Sequence, residues 1–261
     1  MSVSSNTLFH FVKERKFLEE ILSGVFYPRY CLENFDFRLL VVKEAYVLMK
    51  CFCDIPLSQI VNHTKLYGSY GVGFSKEWGR GLNISPILYL YKDSNTYRAI
   101  NRVNGKKLDE AYAEFNEKKT KKARAEVFDA LSILTNVKPV SGKMTRDGKE
   151  ISVTFYNERE WRYVPKMWDV ADKADIVNSF LLLPKSLVDD TPGLLDALHD
   201  FSKKSLRIPY TADDVKYIFV KDDADREYFF DFLSGSTYWG EADRKKLMCK
   251  IVTVNQIKED F

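Results

Sequence analysis

The chain has 261 residues, of which 45% are hydrophobic and 14% aromatic, so it can bury one sizeable core. Forty Lys and Arg against 37 Asp and Glu leave a formal net charge of +3, too little for the whole molecule to hold nucleic acid or a membrane by charge alone. No apolar run is long enough for a signal peptide or a membrane span, which predicts a cytoplasmic protein without membrane contact.

The four cysteines predict neither disulfides nor a metal site. Cys51 and Cys53 alternate on a predicted strand and point to opposite faces, which disfavours a bridge between them. A Cys-x-Cys pair followed by His63 lacks the repeated Cys-x-x-Cys spacing of zinc sites. We expect free, buried thiols and no bound metal.

The first third of the chain alternates strands and helices. Residues 7–12 (TLFHFV) predict a strand, and the apolar spacing that follows predicts a helix that ends at Gly24. Residues 45–55 predict a buried strand closed by Pro56, and a helix follows.

The segment YGSYGVGFSKEWGRG, residues 67–81, predicts a loop, a strand at 70–75 and a helical turn at 76–80, before a strand at 86–91. Gly71 and Gly73 alternate, so one face of the first strand carries no side chains. Such a face admits either a closely packed neighbour or a ligand.

A long helix is predicted from Lys106 to Thr135, as a helical insertion over residues 105–136. Its middle has almost nothing to bury and is the most basic stretch of the chain. It is either a solvated helix face or a contact for a protein partner or nucleic acid. The basic residues are Lys118, Lys119, Lys121, Lys122 and Arg124.

The remainder predicts strands at 151–156, 160–164, 179–183, 217–220 and 250–254, with helices at 193–203 and 226–233. Hairpins mixed with short crossovers indicate an α+β fold. We predict a single domain over residues 1–261, with a core formed by residues 7–104 and 150–261.

Three histidines, at positions 10, 63 and 199, limit any histidine-dependent mechanism, and the motifs of P-loop NTPases, zincins, elbow-type serine hydrolases and Rossmann dinucleotide sites are absent. On a strand, Glu158, Glu160 and Arg162 would share one face. They form either a polar site or an ion-pair ladder on the surface.

Three phrases carry a resemblance to a known family: LFHFVKERKFLEEILSGVFYPRYCLENF, KCFCDIPLSQIVNHTKLYGSYGVGFSKEWGRGLNISPILYLY and FYNEREWRYVP. They resemble the abortive-infection phage-resistance family AbiGi, described as an antitoxin family. The similarity is strong over residues 7–165 and looser beyond. It implies bacterial antiphage defence and a toxin, antitoxin or phage protein as partner.

A weaker resemblance implies a reaction. The strand LFHF followed by FLEEILSGVF resembles the start of DarT-like ADP-ribosyltransferases, which clasp NAD in a split mixed β-sheet. By that resemblance His10 would bind NAD, Tyr67, Ser69 and Tyr70 would line its nicotinamide side, and Glu160, with Glu158, would be catalytic. A carboxylate stabilises the oxocarbenium-like sugar left by nicotinamide. The Ser-Thr-Ser-type middle motif of that fold is missing.

Two functions therefore stay open. One is an NAD-consuming transferase or glycohydrolase that acts as the toxin, with NAD as its substrate. The other is a non-enzymatic antitoxin or regulator that binds a partner protein.

Overall fold

The computed structural model describes residues 5–35, 43–118, 120–146, 148–165 and 181–260. The strands are β1 (Thr7–Val12), β2 (Arg29–Asn34), β3 (Glu44–Cys53), β4 (Tyr70–Ser75), β5 (Ser85–Pro86), β6 (Leu88–Leu90), β7 (Val137–Pro139), β8 (Gly142–Arg146), β9 (Lys149–Val153), β10 (Glu160–Tyr163), β11 (Leu182–Pro184), β12 (Val215–Val220) and β13 (Ile251–Thr253). The helices are α1 (Arg15–Leu22), α2 (Leu57–Tyr67), α3 (Lys76–Gly81), α4 (Asn95–Lys118), α5 (Lys121–Thr135), α6 (Lys185–Asp189), α7 (Leu194–Ser205), α8 (Asp223–Ser234), α9 (Glu241–Met248) and α10 (Val254–Asp260).

Nine strands form one mixed sheet in the order β13-β12-β4-β1-β3-β10-β5, with β2 and β11 also paired to β3. β12 and β13 are parallel, and the other pairs of this sheet are antiparallel. The long strand β3 joins the two halves, because one end pairs with β1 and β10 and the other with β2 and β11. The predicted mixed α+β architecture is confirmed.

Helices cover both faces of this sheet. On one face α1 and α8 pack on Val72, Phe74 and Ile218. On the other face α2 and α10 pack on Phe9 and Phe219. Because side chains alternate along a strand, neighbouring residues of β1 belong to different cores.

The prediction of one long helix from Lys106 to Thr135 is wrong, because the chain forms two helices there and reverses direction between them. α4 ends at Lys118, and α5 begins after Thr120, whose hydroxyl accepts a 3.1 Å hydrogen bond from the Ala123 N–H as its N-cap. The two helices pack together through a small core that includes Leu108 and Leu131. The stretch with little to bury is the corner of this helical hairpin.

Three predicted strands are also revised. The segment 86–91 divides between β5, which pairs with β10, and β6, which pairs with β7 in a separate two-stranded sheet. β9 ends at Val153, and the chain then enters a 3-10 helix. Residues 179 and 180 of the predicted strand 179–183 lie outside the described residues, and Leu182–Pro184 pairs with β3.

Candidate functional site

Glu158 and Glu160, the predicted catalytic acids, lie on either side of a change in backbone direction. Glu158 ends the 3-10 helix Phe155–Glu158, and Arg159 then has a φ of 44°, in the left-handed region. Strand β10 begins only at Glu160. The prediction that both acids alternate along one strand is wrong, because a left-handed residue ends one element before the next begins.

Both carboxylates nevertheless meet at one ammonium group, that of Lys138 on β7. The Lys138 Nζ lies 3.1 Å from Glu158 Oε2 and 2.9 Å from Glu160 Oε2. Glu160 also accepts a 2.6 Å hydrogen bond from Arg162 Nε, and Arg162 Nη2 lies 3.1 Å from Glu33 Oε2 on β2. We call these five side chains the buried ion network.

This network is interior rather than superficial. Glu160 is 5% exposed and Arg162 1% exposed. A third guanidinium contact of Arg162 goes to the carbonyl of Thr135, at the end of α5. The ion pairing that the sequence suggested is therefore present, but it lies inside the protein instead of forming a surface ladder.

The charges of the network stabilise one another. Burial alone would raise the pKa of Glu160, but Arg162 and Lys138 outweigh it and hold that pKa well below its usual range. Burial opposes the charge of Lys138, but Glu160, Glu33 and Glu158 raise the Lys138 pKa well above its ordinary value. Each oxygen of Glu160 already accepts from a cation: Oε1 from Arg162, and Oε2 from Lys138 and Arg162. Glu160 is thus a fully engaged carboxylate.

Two tyrosines complete the surroundings of the network. The Tyr67 hydroxyl donates to Glu158, and its ring stacks on His63 with centroids 4.4 Å apart. The Tyr89 hydroxyl accepts a 2.9 Å hydrogen bond from the backbone N–H of Glu160. Tyr67 therefore joins α2 to the predicted catalytic acids.

His10 lies on the opposite face of the sheet from Glu160. Phe9 and Glu160 both pair with Cys53, one on each side of β3, so Phe9 and Glu160 share a face. His10 is the next residue after Phe9, and its ring packs against Phe26 and Phe52 in the other core. The structure therefore does not bring His10 and Glu160 into one cleft.

His10 instead lines a cavity of about 360 Å³ bounded by the end of β1, the start of β2 and residues 49–51 of β3. β1 pairs with β3 at Phe9 and Cys53, and the cavity lies beyond that point, where Phe11–Glu14 and Met49–Cys51 face it. Tyr67 also lines it. The remaining lining residues come mainly from α1 and the turn after it: Phe17, Glu20, Ile21, Val25, Phe26, Tyr27, Arg29 and Cys31.

The His10 ring is fixed by one hydrogen bond. Its Nδ1 donates to the carbonyl of Cys51 over 2.8 Å, because a carbonyl can only accept, and this leaves the lone pair on Nε2. Burial and the nearby charge of Lys50 lower the His10 pKa to about 3, so the ring is neutral at physiological pH.

The other two predicted NAD contacts lie elsewhere. The Tyr70 hydroxyl donates a 2.7 Å hydrogen bond to Asp225 on α8, which also accepts from Arg15 on α1. Ser69 lies half-buried in the loop between α2 and β4. The structure thus brings His10 and Tyr67 to one cavity, and Tyr67 contacts the buried ion network through Glu158. Tyr70 instead joins α1 and α8 to the sheet through Asp225 and its contact with Arg15. Their roles toward NAD stay predictions.

The side-chain-free face of β4 is filled by its neighbour. A Cβ on Gly73 would lie 2.9 Å from a Phe9 ring carbon, and one on Gly71 would lie 2.6 Å from the His10 carbonyl oxygen and 2.8 Å from a Phe11 ring carbon. Of the two uses that the sequence left open, close packing is the one observed, since these glycines make room for two aromatic rings of β1.

The basic stretch forms the corner of the helical hairpin. Lys118 lies 3.7 Å from Glu114, and Lys122 lies 3.9 Å from Glu126, each pair within its own helix. Lys119 lies outside the described residues, and the side chains of Lys121 and Arg124 are likewise not described. Nucleic-acid binding there stays a prediction.

Sequence reasoning missed two lysines, Lys138 and Lys50. Lys138 stands 20 residues before Glu158 in a short strand, and only the fold shows that it neutralises both acids. Lys50 is a charged residue inside the apolar run AYVLMKCFC, and that contrast is the signal that could have marked it.

Within the described residues there is no cluster of three or more His, Cys, Asp or Glu side chains suited to a metal, and no helix long and apolar enough to cross a membrane.

The cysteines are free thiols. Cys53 is buried, Cys31 and Cys51 are half-buried, and Cys249 is exposed. The expectation that all four are buried is wrong for Cys249, which ends α9 at the surface.

Comparison with known proteins defines the class of this one. The family model described as "Putative abortive phage resistance protein AbiGi, antitoxin" matches residues 24–221. The abortive phage resistance protein AbiGi of Lactococcus lactis subsp. cremoris is 25% identical over 255 residues, which cover 90% of this chain and 99% of that relative. This is an antiphage defence protein of the abortive-infection class. The chain belongs to the AbiGi family.

No solved structure matches the chain. The resemblance to the ADP-ribosyltransferase fold therefore stays a prediction.

Proposed function

We propose that this protein is the antitoxin of an abortive-infection system and acts by binding its partner toxin. One observation carries the proposal: Glu158 and Glu160 are neutralised inside the protein by Lys138 and Arg162, and His10 lies on the other face of the sheet. A carboxylate stabilises a developing cation best when it faces the substrate and neighbouring cations do not already offset its charge. The family description, which names an antitoxin, adds support.

The helical hairpin is the surface that we propose for the protein partner. It has its own small core, so exposed side chains at its corner can change without loss of the main fold. Val103 on α4 is 64% exposed, and Lys118 and Lys122 project near the corner with weak intrahelical pairs. An acidic or mixed surface of the toxin would complement this corner.

Growth tests distinguish an antitoxin from a toxin. The chain expressed alone should leave growth unchanged, and it should restore growth when expressed with the toxin encoded beside it. Purified chain and tagged toxin should co-elute, and the double variant Lys118→Glu, Lys122→Glu should reduce both rescue and co-elution. The matched control is Lys143→Glu, an exposed lysine on β8. Growth arrest by this chain alone would overturn the proposal.

A second candidate is the NAD-consuming toxin, and one observation favours it: His10 and Tyr67 line the same cavity. Purified protein would then release nicotinamide from NAD, alone or with DNA, RNA or lysate, and His10→Gln would abolish the release. Absence of nicotinamide under all of these conditions, together with growth rescue in cells, would leave the antitoxin as the function.

A further inference from the structure

Lys50 is a buried residue whose ammonium group forms no ion pair with any carboxylate in the described part of the chain. The residue is 9% exposed and lines the cavity between β1, β2 and β3. Its Nζ lies 5.0 Å from the centroid of the Phe26 ring and 5.7 Å from that of Tyr27. Among the described residues, no carboxylate forms an ion pair with Lys50 and no oxygen accepts a hydrogen bond from it.

The carboxylates of the cavity already have cations of their own. Glu20 pairs with Lys203 at 2.6 Å, and Glu14 pairs with Lys16 at 2.8 Å. These pairs leave Lys50 without a carboxylate of its own, and the charge of Glu20 only partly offsets the effect of burial on the Lys50 pKa.

Two further cations line the cavity. Arg29 lies over the ring of Phe17 and 3.5 Å from His199, without a carboxylate of its own among the described residues. Lys13 also lines the cavity, at an exposed position. Lys50 and Arg29 therefore place on the cavity wall two cations that form no ion pair with a carboxylate of the described residues.

Burial lowers the Lys50 pKa to about 8, which is the cost of holding an ammonium group away from water. At neutral pH most Lys50 side chains are still charged. A bound anion would restore the pKa toward its ordinary value.

The other side chains that line the cavity indicate which further groups a ligand would carry. His10 Nε2 is a neutral acceptor of fixed orientation, suited to a hydroxyl or N–H donor. Phe17, Ile21 and Phe26 supply an apolar and aromatic wall for a ring.

We propose that this cavity binds a small organic anion, a ring compound with a phosphate or carboxylate group that pairs with Lys50 and a hydroxyl that donates to His10. A volume of about 360 Å³ is at the small end of ligand pockets and limits the ligand to roughly the size of a mononucleotide. The site is independent of partner binding, and either proposal can fail without the other.

Calorimetry and thermal shift on the purified full chain test the site, with AMP, UMP and salicylate as anionic ring probes, adenosine as an uncharged probe, and inorganic phosphate as a ringless anion. At least one anionic ring probe should bind, and it should bind at least about tenfold more tightly than adenosine or phosphate, because a charge-assisted hydrogen bond and ring contacts add. If none of AMP, UMP and salicylate binds at millimolar concentration, the proposal is overturned.

Lys50→Met keeps the shape of the side chain and removes the charge. Because the described residues give Lys50 no ion pair to lose, this variant should be at least as stable as the wild type and yet bind the anionic probe at least about tenfold more weakly. Lys143→Met, at an exposed position, should bind as the wild type does. Severe destabilisation by Lys50→Met, or unchanged binding, would show that the ammonium group does not serve a ligand.

The pKa of Lys50 gives a readout independent of affinity. Reductive ¹³C-methylation of the lysines followed by NMR titration should identify one resonance, missing in Lys50→Met, that titrates well below the others. Bound probe should raise that pKa. A Lys50 resonance whose pKa the probe does not change would contradict pairing with the anion.

Discussion

At the scale of single residues, the buried ion network has a structural role. Glu160 lies between Arg162 and Lys138, and neither cation can reach water easily. A buried ion pair adds little net stability compared with apolar residues, but loss of one partner leaves an uncompensated charge. Glu158 and Glu160, which suggested a catalytic acid pair, are therefore suited to a structural role.

Glu160→Gln should lower the free energy of unfolding by about 3–5 kcal/mol, because Arg162 and Lys138 would lose their shared counter-ion. Urea unfolding of the purified variant measures the change. Glu150→Gln is the control: it breaks the exposed 2.6 Å pair with Lys143 and should cost at most about 0.5 kcal/mol. Equal effects of the two substitutions would contradict a buried network.

His10 should make the fold sensitive to acid. Its pKa is about 3 in the folded protein and 6.5 in the unfolded chain, so the unfolded chain binds more protons between these values. Stability is therefore lost as the pH falls from 6.5 toward 3, by roughly 3.5 kcal/mol at pH 4. His10→Gln should lose correspondingly less over that range in urea unfolding followed by fluorescence. Parallel stability curves for the two proteins would disprove the assignment.

At the scale of elements, the sequence correctly predicted the strands and helices that have strong local signals. The apolar run of β3 and the Pro56 before α2 both mark their elements correctly. The break between α4 and α5 was missed because it contains neither Gly nor Pro. Only Thr120, an N-cap residue, marked it.

The candidate site was less predictable than the elements. Glu158 and Glu160 were identified as a pair, but Lys138 and Glu33 join them through contacts between distant strands. The face on which His10 lies depends on the register of β1 against β3, which a single sequence does not fix. Roles that need two strands to meet in register cannot be read from either strand alone.

The glycines of β4 give a test of packing between elements. Gly71→Ala should destabilise the fold by about 1–3 kcal/mol, because the new methyl group would meet the His10 carbonyl at 2.6 Å and the Phe11 ring at 2.8 Å. Gly105→Ala has nothing within 4 Å and lies inside α4, so it should stabilise by about 0.5–1 kcal/mol. Unfolding free energies of the two variants should therefore change in opposite directions. A stable Gly71→Ala protein would mean that β1 does not pack as described.

At the scale of the whole molecule, the fold extends beyond the residues that match the family model. That match ends at residue 221, and α8 and α9 follow it. These helices supply Phe229, Leu233 and Leu247 to one core. α10 supplies Ile257 to the other.

A chain that ends at residue 221 should therefore fail to fold cooperatively, because both cores lose buried apolar residues. Circular dichroism and urea unfolding of the truncated protein measure this. A chain that ends at Ile257 is the control, since Lys258, Glu259 and Asp260 are exposed and their loss should change stability little. A cooperative transition in the shorter chain would mean that the fold does not need α8, α9 and α10.

The position of β12 in the sheet has a consequence for synthesis. β4 pairs on one edge with β1, which leaves the ribosome early, and on the other edge with β12, which begins at Val215. At about 5–20 residues per second, the second edge of β4 waits on the order of ten seconds for its partner. Through that interval a nascent chain exposes an unpaired strand edge that other chains can join. We expect the yield of native protein to depend on how quickly the ribosome delivers the residues between β4 and β12.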